Sequence, residues 1–93
     1  MYPNGEIGIN EHIRKELIYP KEALADSIQG RVVVKYVVQT DGSVDEIEVL
    51  KSVNPFLDAE AKRVIRTMEK WKPAIQRGKP VKSAYQQVFK FKL

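Results

Sequence analysis

Nine residues, Arg31–Gln39, hold five valines and a tyrosine, and this run constrains the fold more than any other. β-Branched and aromatic side chains at that density specify a strand, because they fill a pleated, half-buried surface. Val32, Val34, Tyr36 and Val38 share one face, and Val33 and Val37 lie on the other. That pattern predicts a central strand apolar on both sides. Thr40-Asp41-Gly42-Ser43 follows, and Asp-Gly between two strand-like runs signals a hairpin, with Gly42 supplying positive φ. The second strand is expected over Val44–Lys51, with Ile47 and Val49 inward and Glu46 and Glu48 outward. Val44 falls out of this alternation, which predicts an irregularity near Asp45 or a change of face.

The flanking segments read as helices and one more strand. Residues 1–8, with Pro3, Asn4, Gly5 and Gly8, read as an irregular lead-in to a domain over 9–93. Asn10 is placed to cap a short helix over Glu11–Leu17 that puts Ile9, Ile13 and Leu17 on one side. Pro20 limits it and opens a second helical turn, Lys21–Asp26. After the hairpin, Asn54-Pro55 starts the main helix, where Leu57, Ala61, Val64, Ile65 and Met68 recur at helical spacing. Trp71 extends that stripe and Pro73 stops it. Gln76–Pro80 is a turn, and Val81–Leu93 reads as a long third strand with Tyr85, Phe89, Phe91 and Leu93 on one face and Lys90 and Lys92 on the other.

This order gives an α+β, two-layer αββαβ domain. The main helix returns the chain, so strand three runs parallel to strand two. An antiparallel three-stranded sheet then requires the order 2-1-3, packed against helices on one side, with strand three at an edge.

Composition excludes several functions. At 93 residues the chain is one domain, and folding buries roughly 60–65% of its unfolded surface, too little to frame a large enzyme cleft. Without cysteine, disulfides, thiolate metal sites and thiol nucleophiles are ruled out. His12 is the single histidine, so no histidine cluster can form, and it reads as a solvated helix residue. Glu46 with Glu48, and Asp58 with Glu60, have simple solvent-facing roles, the latter pair in the first turn of a helix. No nucleophile is paired with a base, so no enzyme activity and no cofactor are expected. Gly78-Lys79-Pro80 lacks the glycine spacing and the Ser/Thr of a phosphate loop. The net charge of +4 is spread among interleaved acids, and the aromatic residues of strand three alternate inward, so no nucleic acid is expected as partner. No run approaches the ~20 apolar residues of a membrane span, and the first residues do not form a secretory signal. The chain is expected to be cytosolic as it stands or a soluble piece of something longer.

One ordered series of short motifs carries a family resemblance from about Gly8 to Leu93. It comprises Tyr19-Pro20, Ala23, Ile28-x-Gly30, Val32-x-Val34-x-Tyr36-x-Val38, Asp41-Gly42-Ser43-Val44, Val49, Ser52, Leu57-Asp58 and Ala61. Trp71-Lys72-Pro73-Ala74, Gly78-Lys79-Pro80-Val81 and Phe91-Lys92-Leu93 complete it. The series resembles the C-terminal domain of TonB energy transducers, in the style of Bacteroidetes-type bacteria. Tyr36 stands where phenylalanine is frequent, and Val88 where many relatives carry proline.

The resemblance implies a periplasmic domain of a protein anchored in the inner membrane, coupled through its other parts to an ExbB and ExbD type motor. Its implied partner is the TonB box, a short segment of outer-membrane transporters, bound by strand addition to transmit proton-motive-force-derived energy for nutrient uptake. An edge strand is a row of unpaired N–H and C=O groups that suits such docking. The docking edge is therefore expected over Ser83, Ala84, Tyr85, Gln86, Gln87, Val88, Phe89 and Lys90. Replacing Gln87 with proline is expected to remove one of its donors. Tyr19 and Pro20 match a further transporter contact in the family, and read equally well as a helix stop with the ring packed over the sheet. The same edge also suits a homodimer by strand exchange. Two other readings are a periplasmic interaction domain of a membrane sensor or signalling metallopeptidase, and, remotely, a small basic nucleic-acid binder.

Overall fold

The computed structural model describes residues 1–93. Its elements run α1 (Gly5–Glu16), α2 (Lys21–Ala25), β1 (Gly30–Val38), β2 (Val44–Lys51), α3 (Pro55–Arg66), β3 (Ala74–Gln76), β4 (Lys79–Val81) and β5 (Ser83–Phe91). The main sheet is three-stranded and antiparallel in the order β2-β1-β5, as chain direction requires. β3 and β4 pair separately as a small hairpin. No helix is long and apolar enough to cross a membrane.

Val32, Val34, Tyr36 and Val38 of β1 are buried beneath the helices. Leu57, Ala61, Val64 and Ile65 of α3 meet them, with Phe89 and Phe91 of β5 closing the core. Burial pushes the Tyr36 phenol up to about 12, with neighbouring Tyr85 adding to it. β1 is central, as expected from its two apolar faces, but only one face is covered. Val33 and Val37 are half-buried, while Val88 and Leu50 are exposed, so the face away from the helices is open.

The hairpin between β1 and β2 has a three-residue loop. Gly42 N–H donates to the Gln39 carbonyl (2.9 Å) and Gln39 N–H to the Ser43 carbonyl (2.8 Å). Such loops place a residue of positive φ before the second strand, here Gly42 at 87°. Asp41 accepts from the Ser43 amide (3.0 Å) and hydroxyl (2.6 Å), which holds its carboxyl below its usual value. The irregularity expected near Asp45 is present: the register shifts there, and Glu46 takes φ 49°. This bulge lets Val44, Ile47 and Val49 all turn toward the core.

Three expected boundaries are corrected. The lead-in is not irregular beyond residue 4, because α1 begins at Gly5, and Asn10 lies inside the helix instead of capping it. Tyr2 is buried edge-on to Trp71, with ring centroids 5.4 Å apart. Lys72 N–H donates to the Met1 carbonyl (2.6 Å). Gly8 interrupts nothing, for a side chain there would collide with the Pro3 carbonyl. At the other end, α3 stops at Arg66, so Trp71 does not extend its stripe and Pro73 does not end it. Finally, Val81 belongs to β4 and β5 ends at Phe91. Leu93 is 56% exposed, since β1 has no residue beyond Gly30 to pair with it.

Polar side chains read as solvent-facing have structural work instead. His12 is half-buried and its Nε2 donates to the Val64 carbonyl (3.1 Å), 3.0 Å from Thr67 Oγ1, at the end of α3. Asn54 caps the other end through the Phe56 amide (2.8 Å). Asp58 accepts from the Val53 amide (3.2 Å) and the Ser52 hydroxyl. Glu60 accepts from the Ile18 amide (2.7 Å) and from Arg63 Nε (2.7 Å), while Arg63 Nη2 also donates to the Glu16 carbonyl (2.6 Å). This ion pair thus fastens the end of α1 to α3.

Burial opposes the Glu60 charge, but the Arg63 hydrogen bonds and the Ile18 amide outweigh it and hold the carboxyl below its usual value. Its contribution to stability is present above the unfolded glutamate pKa and is lost as pH falls through the lowered folded value. Glu60→Gln is expected to cost about 1 kcal/mol near neutrality. That cost should shrink as pH falls below the ordinary glutamate value, which urea denaturation at about pH 7 and at about pH 3 checks.

Gly42 combines positive φ with an approach to the Trp71 backbone that leaves no room for a methyl group. Gly42→Ala is expected to cost at least about 2 kcal/mol, measured by urea denaturation. Gly78→Ala, with φ 77° and nothing nearby, isolates the backbone cost alone, about 1 kcal/mol.

Candidate functional site

The sheet has two edges, and they differ in regularity. β2 carries register shifts at two places along its pairing with β1. Bulges of this kind twist an edge and spoil it as a template for another strand. β5 pairs with β1 without interruption from Gly30↔Phe91 to Val38↔Ser83. Its other side has no strand beside it.

The hairpin sets which groups of β5 face outward. Gln39 N–H and C=O both bond on the β2 side. Backbone direction alternates along a strand, so Val38, Tyr36, Val34 and Val32 turn toward β5. Their partners Ser83, Tyr85, Gln87 and Phe89 therefore direct their N–H and C=O groups to β1. The groups of Ala84, Gln86, Val88 and Lys90 point away from the sheet. Two side-chain contacts agree with this phase. Gln87 Nε2 donates to the outward Val88 carbonyl (3.1 Å), and the inward Leu93 N–H donates to Gln29 Oε1 (3.1 Å).

The eight residues expected as a docking edge thus divide into two sets. Ala84, Gln86, Val88 and Lys90 are exposed, on the open face, and offer their backbone outward. Ser83, Tyr85 and Gln87 are half-buried and Phe89 is buried, on the helix side, and their backbone belongs to the β1 ladder. Gln87→Pro would therefore remove a donor to β1 and not one of the outer edge, which corrects the expectation for that substitution.

Tyr19 and Pro20 lie between α1 and α2. The Tyr19 ring is edge-on to Phe91, with centroids 5.5 Å apart, and its hydroxyl donates to the Ile28 carbonyl. Pro20 is half-buried at the start of α2. Tyr19 therefore sits at the Phe91 end of β5, some 26 Å of strand from Ser83 by the ~3.3 Å rise per residue.

At the Ser83 end, an aromatic cluster lies under the edge. Tyr85 stacks on Trp71 at 4.8 Å, and Tyr36 stands 5.9 Å from Trp71. Trp71 is 6% exposed, and its indole N–H has no acceptor in the chain. Tyr2 and the first turns of α1 complete this corner, and sequence reasoning, which placed a helix only over Glu11–Leu17, missed both by treating residues 1–8 as irregular. The signal was Tyr2 itself, an aromatic residue about two turns ahead of the Ile9, Ile13, Leu17 stripe. No group of acidic or histidine side chains here has the spacing of a metal site.

Comparison with known proteins agrees with this architecture. The family described as "Gram-negative bacterial TonB protein C-terminal" matches residues 15–93. Protein TonB of Pseudomonas aeruginosa is 37% identical over 79 residues, covering 82% of this chain and 22% of that protein. The chain thus spans about a fifth of the length of this relative. The solution NMR structure of the Pseudomonas aeruginosa TonB C-terminal domain superposes with a TM-score of 0.66 at 34% identity, covering 82% of this chain and 77% of that one. A Helicobacter pylori TonB C-terminal domain solved by NMR gives 0.62 at 25% identity, covering 94% and 80%. With the family matched from residue 15 to 93 and the same fold in two solved relatives, the chain belongs to the TonB C-terminal domain family.

Proposed function

We propose that the chain is the periplasmic, non-enzymatic C-terminal domain of a TonB-like energy transducer. In this reading it docks the TonB box of an outer-membrane transporter as an added strand on β5, passing on energy derived from the proton-motive force. Coupling to an ExbB and ExbD type motor would run through regions of the relative outside the fifth that this chain matches. The observation that carries the reading is the outward row of N–H and C=O groups on Ala84, Gln86, Val88 and Lys90, on the unbulged edge of the sheet. Backbone pairing supplies affinity with little demand on sequence, which suits one domain serving many transporters.

The phase of the edge gives a sharp test. Val88→Pro removes an outward donor while leaving the β1 ladder intact, and proline is tolerated where an edge N–H faces solvent. It is expected to weaken a box peptide from a transporter of the same organism about fivefold to tenfold, read by NMR titration. Gln87→Pro, by contrast, is expected to destabilise the fold by about 3 kcal/mol through the lost β1 bond. Undiminished affinity in a folded Val88→Pro variant would remove the outer edge of β5 as the docking strand.

A further inference from the structure

Beside the outer edge of β5, on the helix side, lies a pocket of about 410 Å³. Ile9 of α1, Tyr36 of β1, Trp71, Ala74, and Tyr85 and Gln87 of β5 form its walls. Seven of its ten lining residues are hydrophobic, and Glu6 is its one charged side chain, so it suits an apolar occupant. We propose that this pocket receives one bulky apolar side chain of a strand added to β5, and so selects docking segments by the residue at that position. The inference rests on the strand-addition reading above and adds to it a side-chain requirement.

Strand geometry identifies the occupant. A strand bonded to the outward groups of Ala84, Gln86 and Val88 would lie ~4.8 Å beyond β5, with its side chains alternating between the two faces. Those on the helix side come down beside Tyr85 and Gln87, which are themselves walls of the pocket. Gln86, although exposed, also lines the pocket; side chains of the other parity lie on the open face beside Val88, which is exposed and outside that lining. Backbone pairing and the pocket therefore make different demands: the first is indifferent to sequence, the second discriminates at one parity. The walls are held in place without an occupant, since Tyr85 stacks on Trp71 and the Trp71 backbone amide donates to the Gly42 carbonyl (2.8 Å).

The test uses the intact chain, labelled with nitrogen-15, and a synthetic peptide copied from the periplasm-facing segment of one transporter of the same organism. Each peptide position is replaced in turn by alanine. One apolar position is expected to dominate, its alanine version binding about tenfold more weakly, while its two neighbours change affinity less than about twofold. The parent peptide is expected to shift the indole N–H resonance of Trp71, the single tryptophan, and the alanine version to leave it in place. Ala74→Leu, which fills the pocket, is expected to weaken the parent peptide and to leave the alanine version unaffected. Should Val88→Pro weaken binding while the Trp71 resonance stays fixed and no peptide position dominates, the pocket inference is overturned and strand addition stands. Should the parent peptide fail to bind at millimolar concentration, or bind with Val88→Pro without effect, strand addition itself fails and the pocket inference falls with it. The alanine scan and the Trp71 resonance are read on the unaltered chain, so the outcome does not depend on whether Ala74→Leu folds.

Discussion

Two stretches of backbone meet at Gly42 and Trp71 with no space between them for a side chain. The Trp71 amide donates to the Gly42 carbonyl, which fixes the segment leaving α3 against the β1–β2 hairpin. Trp71 is buried there among Tyr2, Tyr36 and Tyr85. Several dependencies run through this contact. It brings the chain to the end of β1 where β5 must begin, it gives α1 an aromatic surface to pack on through Tyr2, and it holds the wall of the pocket beside the outer edge. A domain of this size has few such tertiary anchors, because its core is small relative to its surface.

The difference between the two sheet edges follows from what each strand must do. β2 has to turn Val44, Ile47 and Val49 inward although their spacing is uneven, and the bulge at Glu46 achieves this. A bulge disrupts the row of outward groups, which protects β2 from unwanted pairing. β5 has the regular alternation Tyr85, Gln87, Phe89, Phe91 on its helix side and needs no correction. The same regularity that makes it a good partner for β1 leaves its far side a good template for another chain, whether a transporter segment or a second copy of the domain.

The fold was legible where one local pattern sufficed. Valine density and Asp41-Gly42 placed β1 and its hairpin, and the direction of the chain after α3 required the order β2-β1-β5. The break at Val44 announced the bulge. Tertiary causes were less visible. Gly5 and Gly8 read as helix breakers, yet one opens α1 at positive φ and the other makes room for the Pro3 carbonyl. Apolar spacing carried α3 on to Trp71, but the helix ends once His12 and the Thr67 hydroxyl satisfy the Val64 carbonyl. For the site, the edge strand was legible and the phase of its backbone was not. Side-chain alternation tells which face a residue takes, whereas the direction of its N–H is set by the hairpin bonds of Gln39 and Ser43.

That phase matters for any load passed along an added strand. Force applied parallel to β5 would act in shear on the hydrogen bonds at its outer side and on those joining β5 to β1. The inner ladder is continuous from Ser83 to Phe91, so its bonds are loaded together and not opened one after another from an end. On the helix side Phe89 and Phe91 are anchored in the core, and Tyr85 is stacked on Trp71. β5 is thus tied into the domain at both its ends by aromatic side chains. Its outward row has no strand beside it, although the Val88 carbonyl already accepts from Gln87 Nε2. Under the proposed docking that row would bind a segment of almost any sequence. In that reading, selectivity would come from the helix side, where the pocket's walls meet side chains of one parity.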